Sequence, residues 1–173
     1  ATYPARFMLV AAMNPCICGY FGDRSHPCRC TPQQIRQYQG RISGPLLDRI
    51  DIHIEVPAVR YRDLTARETG ESSATIKARI EQARDIQKNR FAEDGTLFNA
   101  RMTDRQLRAA CPLDEESRQL IEMAIDRLGL SARAYTRILK VARTIADLEG
   151  APALRSSHVA EAIQYRSLDR RLI

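Results

Sequence analysis

The chain has 173 residues, 44% of them hydrophobic, which suffices for one domain of ordinary size or a small domain joined to part of another, with a buried core. Its 27 Lys and Arg against 21 Asp and Glu leave a net charge of +6, which suits a nucleic-acid or nucleotide partner and reads as spread along the chain rather than gathered in one basic tract. No apolar stretch approaches the roughly 20 residues that cross a bilayer, and the first residues carry no basic leader backed by an apolar run, so no membrane partner and a cytoplasmic location are expected.

Residues 5–13, Ala-Arg-Phe-Met-Leu-Val-Ala-Ala-Met, form a nearly continuous apolar run that predicts a strand covered on both faces. Asn14-Pro15 ends it, because proline cannot continue a central ladder. The strand is entered within a few residues of the start, as though cut from a longer chain. Residues 15–32 hold Pro15, Gly19, Gly22, Pro27 and Pro32 with little periodicity, so an irregular loop is expected there. Residues 31–50 read as one or two short helical turns interrupted at Gly40 and Gly44. In 50–56, Ile50, Ile52, Ile54 and Val56 alternate with polar residues and predict a period-2 strand closed by Pro57.

Beyond this point the apolar period becomes 3.6. A helix is predicted over 72–91 behind Ser72 or Ser73, with Ile76, Ile80, Ala83 and Ile86 or Gln87 on one stripe. Thr103 and Gln106 form a capping box opening 103–111. The helix over 114–130 points Leu120, Ile121, Ala124, Ile125 and Leu128 inward, 131–150 is capped by Ser131 and stopped by Gly150, and 156–166 closes the set. The expected fold class is an α/β fragment followed by an α-helical bundle: residues 1–57, with the loop 15–32 inserted, then a linker over 58–73, then a helical domain over 74–173. Two strands cannot make a doubly wound sheet alone, so the first half of an α/β domain is expected upstream of this sequence.

Cys16, Cys18, Cys28 and Cys30 form two Cys-x-Cys pairs in the loop that has no core of its own. Four thiolates around Zn²⁺ at ~2.3 Å would order it, and structural zinc is the expected cofactor. Disulfides do not suit a cytoplasmic chain, an iron–sulfur cluster is the lesser alternative on ligand softness, and His26 could replace one thiol. Cys111, at an apolar helix end, reads as a core residue. Three polar residues also stand out. Asn14 ends a strand where the carboxyl ends of sheet strands line ligand crevices, or it merely starts a turn. Arg49, between Asp48 and Asp51, would ordinarily be a surface salt bridge. Arg133 lies in a first helical turn, where a cation opposes the helix dipole, and either Glu122, Asp126 or a nucleotide phosphate would compensate it.

Together, Tyr3 to Asp23, the second Cys-x-Cys pair, Arg41 to Pro57 and Ser131 to Gly150 closely resemble the ComM/YifB group of magnesium-chelatase-like AAA+ ATPases, across essentially the whole chain. Ile17 departs from the proline usual between the first two cysteines. The resemblance implies that Asn14 is the sensor 1 residue orienting the attacking water, Arg49 the arginine finger offered to a neighbouring subunit's nucleotide, and Arg133 the sensor 2 contact of the lid with the phosphates. It implies that residues 1–57 end a AAA+ core and 74–173 form its helical lid. It further implies a homo-hexamer with ATP and Mg²⁺ at subunit interfaces, acting on DNA as a helicase or branch-migration motor linked to natural transformation and recombination. Neither Gly-x-x-x-x-Gly-Lys-Ser/Thr nor a Walker B strand occurs in these residues, so alone they are not expected to hydrolyse ATP. The rival readings are a zinc-dependent nucleic-acid-binding module without ATPase activity and a subunit of magnesium chelatase proper.

Overall fold

A computed structural model describes residues 1, 7–23, 25–57, 59, 70–93 and 95–166. The chain divides into two compact units, Ala1–Ile42 and Ser43–Ile173. Among the described residues there are seven α-helices and no strand. Most of the linker expected over 58–73, and residues 5 and 6 of the expected first strand, lie outside the described residues.

In the first unit, helix α1 (Pro32–Gln39) begins at Thr31, whose hydroxyl accepts from the Gln34 N–H while the Gln34 side chain accepts from the Thr31 N–H at 2.9 Å. This reciprocal pair satisfies two of the donors a helix start leaves open. Ile35 is the buried residue of α1, and the Gln39 amide donates to the Pro15 carbonyl at 3.0 Å, tying the helix to the cysteine loop.

Both expected strands are corrected by the structure. Phe7, Met8, Leu9 and Val10 are 60–87% exposed instead of covered on both faces. A strand exists through hydrogen bonds to a neighbouring strand, and no described segment pairs with 7–13. In 50–56 the expected alternation is absent: His53 alone is buried, while Ile52, Ile54 and Val56 are exposed together with Asp51 and Glu55. The reason is local docking, since the His53 N–H donates to the Tyr165 carbonyl at 2.9 Å, not to a ladder.

The second unit starts with the short α2 (Gly44–Leu47) and continues through α3 (Ser73–Arg90), a 3-10 turn (Asn99–Arg101), α4 (Asp104–Ala110), α5 (Glu115–Leu128), α6 (Ala132–Glu149) and α7 (Ser156–Gln164). Ser72, Thr103, Asp114 and Ser131 cap their helices through side-chain oxygens. Gly129 and Gly150 end α5 and α6 with φ of 59° and 73°, the left-handed conformation that favours glycine. Helix α6 is the axis of the unit. Its Ala134, Ile138, Ala142 and Ala146, spaced four apart, are fully buried and let α3, α4, the 3-10 turn and α7 approach closely. Leu107, Cys111, Ile121, Leu154 and Val159 complete the core, where a fully buried side chain the size of Val159 or Ile138 contributes about 1.5–3 kcal/mol. Helix α3 buries Ala83 and Gln87 in its second half, while Ile76 and Ile80, expected on the same stripe, stay 37% and 42% exposed.

A polar knot lies inside this packing. Arg90 of α3 donates twice to Asp147 of α6, at 2.9 and 2.5 Å, and Asn99 donates to the same carboxylate at 2.7 Å. Arg143 donates to Asp147 at 3.1 Å and to the carbonyls of Ala151 and Pro152, which follow the end of α6. Burial opposes ionisation of Asp147, but the Arg90 and Asn99 hydrogen bonds and the charges of Arg90 and Arg143 outweigh it and hold its pKa below the usual carboxylate range.

Candidate functional site

The sulfur atoms of Cys16, Cys18, Cys28 and Cys30 lie within 4.8 Å of one another. Three of the separations are 3.4, 3.7 and 3.6 Å, far beyond a disulfide bond, and all four cysteines are free. Four sulfurs at ~2.3 Å from a tetrahedral ion would stand ~3.8 Å apart, so the donors are already at metal-ligand spacing. The group can hold a metal ion, and its soft, all-thiolate character fits zinc. His26 is not part of it; its ring is exposed and stacks on Tyr20 with centroids 5.1 Å apart.

Local turns make this geometry. The Gly19 N–H donates to the Cys16 carbonyl, and the Asp23 N–H donates to the Tyr20 carbonyl, both at 3.1 Å. The Asp23 carboxylate then accepts from the N–H groups of Ser25 and His26. Backbone N–H groups of Tyr20 and Arg29 directed at the Cys18 sulfur bring its pKa down to about 6. Cys28 behaves oppositely: the Cys30 N–H favours its thiolate, but desolvation and the sulfurs of Cys18 and Cys16 push it up to about 12. Cys18 ionises easily while Cys28 and Cys30 resist a second negative charge, a repulsion that a bound cation removes.

Asn14 is exposed and directly precedes the cysteine loop. Arg49 and Arg133 belong to the other unit, where the structure sets their backbones close together. Asp48 accepts a hydrogen bond from the Ser131 hydroxyl at 2.9 Å, joining the residue before Arg49 to the N-cap of α6. Arg137, one turn past Arg133, donates to the Arg49 carbonyl at 2.7 Å and pairs with Asp51. The buried Arg166 donates to the Ile50 carbonyl and lies 3.5 Å from Asp48. Both acids flanking Arg49 are thus engaged with other cations, and the Arg49 guanidinium, exposed, donates to the Pro45 carbonyl at 2.7 Å. Arg133 is exposed as well, and among the described residues its guanidinium makes neither an ion pair nor a hydrogen bond, so Glu122 and Asp126 do not compensate it. Sequence reasoning missed Arg137 and Arg166 as the clamps of this segment. Nothing in the sequence near either residue signals a partner so many positions away.

Residues 70–166 match the family described as magnesium chelatase, subunit ChlI C-terminal, and residues 1–64 match magnesium chelatase, subunit ChlI. Uncharacterized protein YifB of Escherichia coli (strain K12) is 44% identical over 173 residues, 99% of this chain and 33% of that protein. YifB of Salmonella typhimurium is 43% identical over the same shares. Competence protein ComM of Haemophilus influenzae is 42% identical over 171 residues, 98% of this chain and 32% of that protein. The chain spans about a third of the length of these curated relatives. It belongs to the ComM and YifB family of magnesium-chelatase-like AAA+ ATPases.

Proposed function

We propose that this chain supplies the nucleotide-responsive lid and a zinc-bearing loop of an ATP-dependent DNA motor of the helicase or branch-migration type, assembled as a homo-hexamer with ATP and Mg²⁺ between subunits. The observation that carries this reading is the pair Arg49 and Arg133: two exposed guanidinium groups, neither matched by a carboxylate, on backbone segments clamped together through Asp48, Ser131 and Arg137. Phosphoryl transfer is catalysed largely by positive charge placed around the transferred group, and an arginine finger supplies ~10³ to 10⁵ in rate. Arg133 also sits in the first turn of an 18-residue helix, where backbone N–H groups favour an anion.

In this reading Arg49 reaches the nucleotide of the adjacent subunit, Arg133 grips the phosphates of its own, and Asn14 orients the attacking water. Residues 1–57 complete the AAA+ core and 74–173 act as the lid. Cys16, Cys18, Cys28 and Cys30 would hold Zn²⁺, which orders the loop and takes no part in ATP hydrolysis. A competence protein among the relatives agrees with a role in transformation or recombination.

The test is ATP turnover in the full-length protein. Arg49→Ala should lower turnover by ~10³ or more with ATP affinity nearly unchanged, because a finger acts in the transition state. Turnover should return when these subunits are mixed with subunits defective in their own phosphate-binding loop. Arg133→Ala should weaken ATP affinity and turnover while the melting temperature stays close to the parent's. If neither substitution changes ATP affinity or turnover, the ATP reading fails. The second reading, a zinc-dependent nucleic-acid-binding module without ATPase activity, then takes its place; the arginine-rich cysteine unit favours it.

A further inference from the structure

Residues 1–42 contain five arginines and one aspartate, with no lysine or glutamate. About a quarter of the chain therefore carries +4 of the total +6, so the charge is concentrated in the unit that holds the cysteine loop, contrary to its even appearance in the overall composition. At the loop's tip stand two consecutive aromatic residues, Tyr20 and Phe21, which are 44% and 48% exposed. Rings that served a core would be covered, and the four-sulfur cluster forms without them.

The backbone presents these rings deliberately. Gly19 and Gly22 flank them with φ of 84° and 88°, a left-handed conformation that other residues rarely adopt, so the chain reverses on both sides of the pair. The turns closed by the Gly19 and Asp23 N–H groups fix the tip, and the His26 ring lies against Tyr20. The backbone N–H groups of both Tyr20 and Arg29 are directed at the Cys18 sulfur, so these two residues stand close together in the loop, and both are exposed.

We propose that the Tyr20–Phe21 tip, with Arg29 beside it, binds single-stranded nucleic acid, the rings stacking on unpaired bases and the arginine meeting a phosphate. Every base has a face to stack on, so the site is tolerant of sequence; a base inside a duplex keeps its faces covered, so the site discriminates against paired strands. The inference rests on the nucleic-acid partner proposed above and on none of the ATP roles.

The experiment is fluorescence anisotropy of the intact protein, without ATP, with labelled oligothymidylate, oligouridylate and a blunt hairpin duplex across a salt series. The parent should bind the single strands more tightly than the duplex. The paired substitutions Tyr20→Ala and Phe21→Ala should weaken single-strand binding about tenfold or more. The pair Tyr20→Leu and Phe21→Leu keeps apolar bulk without rings and should weaken it comparably, whereas the exchange Tyr20→Phe with Phe21→Tyr should bind as the parent does. Arg29→Gln should reduce the salt slope by about 0.7, one phosphate contact to a single strand. Bound-metal content and melting temperature matching the parent's show that a variant retains its fold. The proposal is overturned if the parent binds neither single strand, if it binds the duplex as tightly, or if the leucine pair binds like the parent. Arg49→Ala and Arg133→Ala should leave this binding intact, and a loss confined to them would move the site to the face that carries these two arginines and overturn the tip. Silent ATP assays on those two variants would sink the ATP reading alone.

Discussion

The buried Asp147 gathers three donors, Arg90, Asn99 and Arg143, and Arg143 is itself buried. Asp147→Ala would leave that guanidinium without its counter-charge, and breaking a buried pair in this way costs about 3–5 kcal/mol. Because one kcal/mol moves the midpoint of a chain this size by about 2–4 °C, thermal unfolding should fall by roughly 6–20 °C. The same group sets a pH dependence. Its folded pKa is depressed, so its stabilisation is fully present above the unfolded value near 4 and is lost as the pH falls through the lowered folded value. Melting curves from pH 7 down to pH 3 should therefore show an acid-induced loss that is smaller in Asp147→Asn, whose starting stability is already reduced. A variant that loses stability on acidification as steeply as the parent would remove Asp147 from that role. At this scale the sequence is only partly readable. Cys111 is the core residue that its apolar setting predicts, its thiol facing the Leu139 carbonyl. Asp147 and Arg143 look, from spacing alone, like one more i,i+4 surface pair, and only the packing of α3 and Asn99 against them reveals a buried network.

Helix boundaries were the most legible features, because capping is chemistry between residues three apart: Thr103 with Gln106, and Ser131 with the N–H of Ala134, stand where the sequence places them. The four sulfurs were legible for the same reason, since two Cys-x-Cys pairs converge through short turns. The strands over 5–13 and 50–56 were not, because a ladder is decided by a partner distant in sequence. The flanks of Arg49 were equally hidden: Asp48 finds Ser131 83 positions away, Asp51 finds Arg137 86 away, and Ile50 finds Arg166 116 away. Ser131 links both categories, being at once the cap of α6 and the donor to Asp48. Ser131→Ala should cost about 1 kcal/mol in urea unfolding from the lost cap. It should also speed hydrogen exchange at the amides of residues 48–51, whereas Thr103→Ala, a comparable cap loss at α4, should leave those amides unaffected. Equal exchange in the two variants would mean that the Asp48 contact does not hold the segment.

The two compact units draw on different sources of stability. The second owns the apolar core around α6, while the first buries chiefly Cys16 and Ile35 among its described side chains. With so little apolar area to bury, a metal held by the four cysteines would supply the order of the first unit. Removing it with a chelator under reducing conditions should abolish the near-ultraviolet signal of Tyr20 and Phe21, yet leave most of the far-ultraviolet helical signal and the main thermal transition in place. Less than about half an equivalent of transition metal in protein whose loop stays ordered would reject a structural metal site. Within the second unit, the clamp of residues 48–51 onto α6 has a mechanical consequence. Arg49 is carried on the flank of the same helix that bears Arg133, so any rotation of the bundle turns both guanidinium groups through one angle. If the two arginines meet nucleotides as proposed, a rotation that carried Arg133 toward a phosphate would turn Arg49 with it, and the two charges of one subunit would keep time like teeth on a single wheel.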